Sequence, residues 1–215
     1  MINFDKKTSD APVIIINYPR SGSNFLHYCV ENLFNIDIWK NHGQSPEFWQ
    51  KERYPSIFLL RNYKECVPRQ LGCTKRGNEY DLESIKSHMR NANATKDTKT
   101  FDYIKVLKYY DELEKEKLLI YYEDLISNTE NELKRLVDFM NGLGFKTELF
   151  NDFIINLEKH RKESLKRYTP TSSSGGNVKI FHSKNIRDKD KNSLDKFLQK
   201  TYPNLWDKYL KIYED

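Results

Sequence analysis

The chain has 215 residues, of which 38% are hydrophobic, 31% charged and 13% aromatic, enough to fill the core of one domain over residues 1–215. Global disorder is therefore excluded. The net charge of +5 suits an anionic ligand but is too small to indicate nucleic-acid binding. Three cysteines without metal-ligand spacing, and a polar N-terminus without an apolar signal core, predict a cytoplasmic protein with no membrane segment.

The first element is a β-branched run, Val13 to Ile16, that stops at Pro19 and is typical of a buried parallel strand. A Ser-Gly-Ser turn follows, and apolar residues then recur at helical spacing from Phe25 to Phe34. Strand, loop and helix in this order predict an α/β fold with a central, mostly parallel sheet flanked by helices.

The later elements follow from the same periodicities. Strands are predicted at Ile36 to Lys40, Ser56 to Leu60 and Lys117 to Tyr122, and helices at Tyr63 to Cys73, Phe101 to Glu116, Thr147 to Arg167, Asp190 to Lys200 and Leu205 to Tyr213. Pro68 is expected to kink or shorten its helix. Ser127 and Glu130 form a capping box for one more helix, with Gly142 as its C-cap.

The loop between the first strand and its helix has the composition of an anion site. Backbone N–H groups at a helix N-terminus and the helix dipole both favour an anion. Gly22 lets the backbone approach closely, and Arg20 adds a charge that binds two oxygens at once. Short side-chain donors come from Ser21, Ser23 and Asn24. The Walker A pattern is missing, and a plain serine-capped turn is the alternative.

The string from Tyr18 to Phe25, Tyr-Pro-Arg-Ser-Gly-Ser-Asn-Phe, resembles the 5′-phosphosulfate loop of the sulfotransferase family, commonly Tyr-Pro-Lys-Ser-Gly-Thr-Thr-Trp. In that family the loop holds the 5′ end of 3′-phosphoadenosine 5′-phosphosulfate (PAPS). Arginine stands where cytosolic members usually carry lysine, but Arg-Ser-Gly-Ser occurs in many carbohydrate sulfotransferases. The resemblance implies a P-loop-like three-layer fold and a set of cofactor-binding residues: Arg20, Ser21, Gly22, Ser23, Asn24 and Phe25.

A second element ends the strand Ser56 to Leu60. Arg61-Asn62 resembles the family's 3′-phosphate element, an Arg-Asn pair with a serine eight positions after the arginine. That eighth position is Arg69 here. We expect Arg69 to hold the 3′-phosphate by charge and a bidentate hydrogen bond; alternatively, it points away and leaves the site weaker. Read alone, a strand-end arginine is more often a surface ion-pair partner.

Two later segments complete the resemblance. Tyr122-Glu123-Asp124-Leu125 matches a Tyr-Glu-Asp-Leu string of the family, which implies that Tyr122 contacts the adenine; simple strand-end packing is the alternative. The family's final Arg-Lys-Gly element is missing. Lys179 and Lys184 occupy the right region, and Lys184 is the residue predicted to reach the 3′-phosphate.

The predicted catalytic residues lie between the two phosphate elements. Lys40-Asn41-His42 stands where cytosolic sulfotransferases have Lys-Thr-His with histidine as the base. The resemblance therefore implies that His42 is the general base, with Lys40 and Arg20 supplying positive charge. Glu47 and His182 are the alternative bases. No metal is required by this chemistry.

Together these features predict a PAPS-dependent sulfotransferase that moves a sulfuryl group to a hydroxyl or amine of a small-molecule or carbohydrate acceptor and releases adenosine 3′,5′-bisphosphate (PAP). The other hypotheses are a P-loop-type kinase and a non-catalytic nucleotide-binding module. Neither nucleic acid nor membrane is expected as a partner.

Overall fold

The computed structural model describes residues 13–41, 54–74, 82–89, 103–168, 186 and 188–214. The strands in these residues are β1 (Ile14–Asn17), β2 (Trp39–Asn41), β3 (Ser56–Leu60) and β4 (Lys117–Tyr121). They form one sheet in the order β2-β1-β3-β4, and every pair is parallel. All strands therefore end at the same edge of the sheet, where ligands of open α/β sheets bind.

Helices connect the strands and continue to the end of the described chain. They are α1 (Ser23–Phe34), α2 (Tyr63–Thr74), α3 (Leu82–Met89), α4 (Tyr103–Glu112), α5 (Tyr122–Ser127), α6 (Thr129–Gly142), α7 (Phe150–Ile155), α8 (Leu157–Tyr168) and α9 (Asp188–Thr201). A short helix (Pro203–Leu205), a π-helical turn (Trp206–Leu210) and a 3₁₀ turn (Lys211–Tyr213) follow.

Helices cover both faces of the sheet, because side chains alternate along each strand. On one face, Ile15 and Ile57 pack with Leu26 of α1 and Leu133 of α6. On the other, residues of β1 and β3 pack with α4, through Ile14, Ile16, Phe58, Val106 and Tyr109. This three-layer arrangement confirms the predicted α/β fold.

A further cluster joins the C-terminal elements to α2. Tyr63 of α2 and Tyr103 of α4 are fully buried with Leu194 of α9 and Trp206 of the π-helical turn. Burying large apolar side chains of this kind contributes about 1.5 to 3 kcal/mol each. The end of the chain is thereby packed against the segment that follows β3.

Several predicted boundaries differ from the observed ones. The predicted strand Ile36 to Lys40 begins only at Trp39, and α2 continues past Pro68 to Thr74, so the proline does not shorten it. The single helix predicted from Thr147 to Arg167 is divided into α7 and α8 at Asn156.

The predicted capping box is wrong. Ser127 is the last residue of α5, and its hydroxyl donates to the carbonyl of Glu123 at 2.9 Å instead of capping α6. The N-cap of α6 is Asn128. Gly142 is the last helical residue, and it is Gly144 that takes the left-handed backbone conformation, with φ of +90°. No described helix is long and apolar enough to cross a membrane.

Candidate functional site

The loop after β1 leads into α1 through two left-handed residues. Arg20 has φ of +67° and Gly22 has φ of +82°. Left-handed residues occur in loops whose successive N–H groups form a concavity for an anion. Helix α1 then begins at Ser23, with no side-chain cap and no acidic residue in its first turn. The positive end of the helix dipole is therefore not offset by a nearby carboxylate.

Ser21 has an unpartnered buried hydroxyl, and Gly22 packs closely against an aromatic ring. Ser21 is fully buried, and its hydroxyl oxygen has no hydrogen-bond partner. A buried polar atom of this kind is uncommon in folded proteins. Gly22 lies against the ring of Tyr122, so that a Cβ at this position would come within 3.0 Å of two ring carbons. Any larger residue here would force the Tyr122 ring to move.

Lys40 in the middle of β2 reaches the start of α1. Its ammonium donates to the side-chain oxygen of Asn24 at 2.5 Å. Burial lowers the pKa of Lys40, and the nearby Glu31 carboxylate partly offsets this effect. The imidazole of His27 on α1 donates through Nε2 to the carbonyl of Ile38 at 3.0 Å. These two contacts fix β2 and the residue before it against the helix that follows the loop.

Arg61 is the residue that joins the loop to the ends of β3 and β4. Its Nη1 donates to the carbonyl of Arg20 at 3.1 Å, and its guanidinium carbon lies 4.3 Å from the centre of the Tyr122 ring. The carbonyl of Arg61 accepts a hydrogen bond from the hydroxyl of Tyr103 at 2.7 Å. Arg61 is only 8% exposed. Both its side chain and its backbone are thus held in place.

Glu65 forms the remaining contact of the Arg61 side chain. Its Oε2 accepts hydrogen bonds from Nε and Nη2 of Arg61, at 3.2 and 2.5 Å. Nη2 of Arg69 lies 3.7 Å from the same oxygen. Both arginines that are predicted to bind the 3′-phosphate therefore contact the same carboxylate oxygen.

Glu123 ties the ends of β3 and β4 to the end of the chain. Its Oε1 accepts from the backbone N–H of Asn62 at 3.0 Å, and its Oε2 accepts from the hydroxyl of Tyr213 at 3.0 Å. Burial raises the pKa of the Tyr213 hydroxyl, and the adjacent Glu123 carboxylate raises it further. Tyr213 stays neutral and keeps donating to Glu123.

A buried ion pair joins Lys64, two residues after Asn62, to Asp195. Lys64 donates to Asp195 of α9 at 2.9 Å and to the backbone carbonyl of Tyr213 at 2.7 Å. The hydroxyl of Tyr63 donates to the same carboxylate. Lys64 and Asp195 are 6% and 5% exposed. The strand-end segment is consequently fixed to α9 and the C-terminal turn by charged groups shielded from water.

The predicted site residues divide into three groups. The first group lies at the ends of β1, β3 and β4. It consists of Arg20, Gly22, Arg61 and Tyr122, with Arg69 beside them. The second group belongs to the loop and the start of α1. Ser21 and Ser23 are buried there, Asn24 accepts a hydrogen bond from Lys40, and Phe25 packs against the core. Five predictions lie outside the described residues: His42, Glu47, Lys179, His182 and Lys184. The described residues contain no group of His, Cys, Asp and Glu side chains that could hold a metal ion.

Three contributors to the site were not predicted. Glu65 could have been found, because it lies four residues after Arg61 and four before Arg69, the spacing at which helical side chains meet. Glu123 lies within the string that identified Tyr122. For Tyr213, 90 residues away from Glu123, the sequence contains no comparable signal.

No family model matches the sequence, and no curated protein matches it. Solved structures do: 47 chains match, among them the crystal structure of mouse sulfotransferase SULT7A1 complexed with PAP. The TM-score with that structure is 0.63 at 14% sequence identity, and the match covers 95% of this chain and 88% of the mouse chain. The chain thus has a sulfotransferase-like α/β fold.

Proposed function

We propose that this protein is a sulfotransferase that uses PAPS as the sulfuryl donor. The observation that supports this most strongly is the position of Arg61. It bonds the loop after β1 through the carbonyl of Arg20 and packs on Tyr122 after β4. A nucleotide phosphorylated at both the 5′ and 3′ positions needs two anion sites side by side, and a nucleoside mono-, di- or triphosphate needs only the first.

The residues of the loop fit the 5′ end of such a nucleotide. The hydroxyl of Ser21 is buried without a partner, and the left-handed backbone at Gly22 turns the chain into the N-terminus of α1. The N-terminus of α1 has no side-chain cap, which suits an anion. Arg20, exposed at the edge of this loop, supplies a permanent charge.

The strand-end residues fit the other end of the nucleotide. Arg61 and Arg69 supply two guanidinium groups for a 3′-phosphate, and Tyr122 offers an aromatic side chain for the adenine. The structurally similar mouse sulfotransferase was crystallised with PAP, which is consistent with this assignment. Ser23, Asn24 and Phe25 complete the proposed cofactor-binding set, together with Lys184.

Bound PAPS would supply the sulfuryl group that is transferred to a hydroxyl or amine of the acceptor. In our proposal His42 takes the acceptor's proton, for which an imidazole titrating near neutral pH is well suited. Lys40 and Arg20 provide positive charge for the developing negative charge. The bond to Asn24 holds the ammonium of Lys40 beside the loop. Glu47 and His182 are the alternative bases.

We further propose a single domain, a small-molecule or carbohydrate acceptor, metal-independent catalysis and a cytoplasmic location. The tests below also distinguish this proposal from two other hypotheses, a P-loop-type kinase and a non-catalytic nucleotide-binding module. A kinase would bind ATP in preference to PAP. A non-catalytic module would bind PAP but transfer sulfate to no acceptor.

Isothermal titration with PAP, adenosine 5′-monophosphate (AMP) and ATP tests the nucleotide site. We expect PAP to bind at least about tenfold more tightly than AMP, because one charge-assisted contact to the 3′-phosphate contributes about 1.5 to 3 kcal/mol. Binding of PAP should also raise the melting temperature by mass action. Tighter binding of ATP than of PAP would reject the proposal.

Transfer of labelled sulfate from PAPS, screened across carbohydrate, phenol, amine and lipid acceptors, tests the activity. Replacing His42 with alanine should lower the rate by about 10²- to 10⁴-fold, the usual contribution of a general base. Its affinity for PAP should stay within about threefold of wild type, which serves as the folding control. Unchanged transfer by this variant would show that His42 is not the base, and Glu47 would be the next residue to test.

A further inference from the structure

Glu65 is an acidic residue in the middle of the basic site. It follows Arg61 by four residues and precedes Arg69 by four, so all three side chains lie on the same side of this segment. A carboxylate at this position lowers the positive charge available to an anion from +2 to +1. A carboxylate here competes with an anionic ligand for the same arginine donors.

The contacts of Glu65 are centred on one oxygen atom. Oε2 lies 2.5 Å from Nη2 and 3.2 Å from Nε of Arg61, and 3.7 Å from Nη2 of Arg69. This oxygen is therefore within ion-pair distance of both guanidinium groups, and a phosphate bound by both arginines would use the same donors. The same N–H groups cannot serve both anions at full strength.

We propose that Glu65 determines the specificity of the site by competing with the 3′-phosphate of the nucleotide for Arg61 and Arg69. The inference rests on the proposed function, since it assigns the 3′-phosphate to these arginines. A 3′-phosphate displaces the carboxylate because it brings more charge and three oxygens to the same donors. A nucleotide without this phosphate has nothing to exchange for the carboxylate, and the arginines stay paired with Glu65.

The differing exposure of these groups explains why Glu65 is the partner that moves. The Glu65 side chain is 46% exposed, whereas that of Arg61 is 10% exposed. A released Glu65 carboxylate is rehydrated at little cost. Arg61 keeps its bond to the carbonyl of Arg20 and its position against Tyr122 when Glu65 leaves. The guanidinium group therefore stays in place for the incoming phosphate.

The test compares the affinity of wild type, Glu65→Gln and Glu65→Ala for PAP and for AMP by isothermal titration. The matched control is Glu158→Gln, which removes the charge from an exposed glutamate paired with Arg161 at 2.8 Å on α8. We expect both Glu65 variants to bind PAP about three- to tenfold more tightly than wild type, the size of a charge-assisted contact reduced by exposure. Their affinity for AMP should change by less than about twofold, as should every affinity of the control.

Salt provides a second criterion, because competition between charges weakens as ions screen them. The gain of the Glu65 variants should shrink between about 0.05 M and about 0.5 M salt. Weaker or unchanged binding of PAP by both variants would overturn the proposal, and weaker binding would identify Glu65 as a positioning residue instead. If wild type does not prefer PAP to AMP, the proposed function fails together with this inference. If wild type prefers PAP and the variants show no gain, only this inference fails.

Discussion

Replacing Gly22 with alanine tests the contact between the loop and Tyr122. The new methyl group would lie within 3.0 Å of Cδ2 and Cε2 of the Tyr122 ring and 3.3 Å from its Cζ. The backbone there has φ of +82°, which costs an L-residue about 1 to 2 kcal/mol. Forcing a packed ring to move costs about 1 to 3 kcal/mol more. We expect Gly22→Ala to lower the free energy of unfolding by about 2 to 5 kcal/mol.

Gly144 is a matched control for the backbone part of this cost. Its φ is +90°, but no heavy atom lies within 4 Å of the position that a Cβ would take. Gly144→Ala should therefore cost only the left-handed contribution of about 1 to 2 kcal/mol. Urea unfolding followed by tryptophan fluorescence gives both free energies, and the difference between them isolates the clash with Tyr122.

The same substitution made in a Tyr122→Ala variant separates the backbone cost from the cost of the clash with the ring. When Tyr122 is already alanine, the ring is gone, and Gly22→Ala should cost no more than Gly144→Ala. Equal losses for Gly22→Ala and Gly144→Ala in the wild-type background would refute the reasoning. So would a full loss for Gly22→Ala in the Tyr122→Ala background, because the clash requires the ring.

Two further predictions concern stability away from the loop. Asp195→Asn leaves the ammonium of Lys64 buried without a counter-charge, so we expect a loss of about 3 to 5 kcal/mol in urea unfolding. Asp111→Asn, in the more exposed pair with Lys208, should change the stability by less than about 1 kcal/mol, and similar losses for the two would contradict the assignment. Burial lowers the pKa of His27 from 6.5 to about 4, so below pH 6.5 the unfolded chain binds a proton that the folded chain does not. The stability present above pH 6.5 is then lost as the pH falls towards 4, by about 2 kcal/mol between about pH 7 and about pH 5. His27→Gln should remove this part of the pH dependence, and an unchanged slope would show that His27 is not its source.

The parts of the molecule that the sequence predicts well are those determined by neighbouring residues. The run Val13 to Ile16 is continuously apolar because β1 is covered on both faces, and the turn after it needs glycine for its left-handed backbone. The Arg61-Asn62 pair follows β3 directly. Since parallel strands end at one edge, these local signals are enough to predict that the loop and Arg61 lie together.

The parts that the sequence does not predict depend on contacts between distant residues. The bond of Tyr213 to Glu123 spans 90 residues, and that of Lys64 to Asp195 spans 131. No spacing rule indicates such partners. Helix ends were also mispredicted, because Ser127 uses its hydroxyl on the carbonyl of Glu123 behind it instead of on the next helix. Short polar side chains have several backbone partners within reach, and the tertiary structure selects among them.

The contacts of Arg61 differ in how readily a ligand can replace them. The bond from the hydroxyl of Tyr103 holds its backbone in the core, and the bond to the carbonyl of Arg20 fixes its side chain to the loop. The bond from Tyr103 is buried in the core, and the guanidinium also packs on the Tyr122 ring. Glu65 is the exposed partner, so an anion from solvent competes with Glu65 first. A rigid guanidinium with one exchangeable partner loses little conformational entropy on binding. For this reason the affinity of the site should respond to the charge of residue 65 more than to substitutions at other exposed ion pairs.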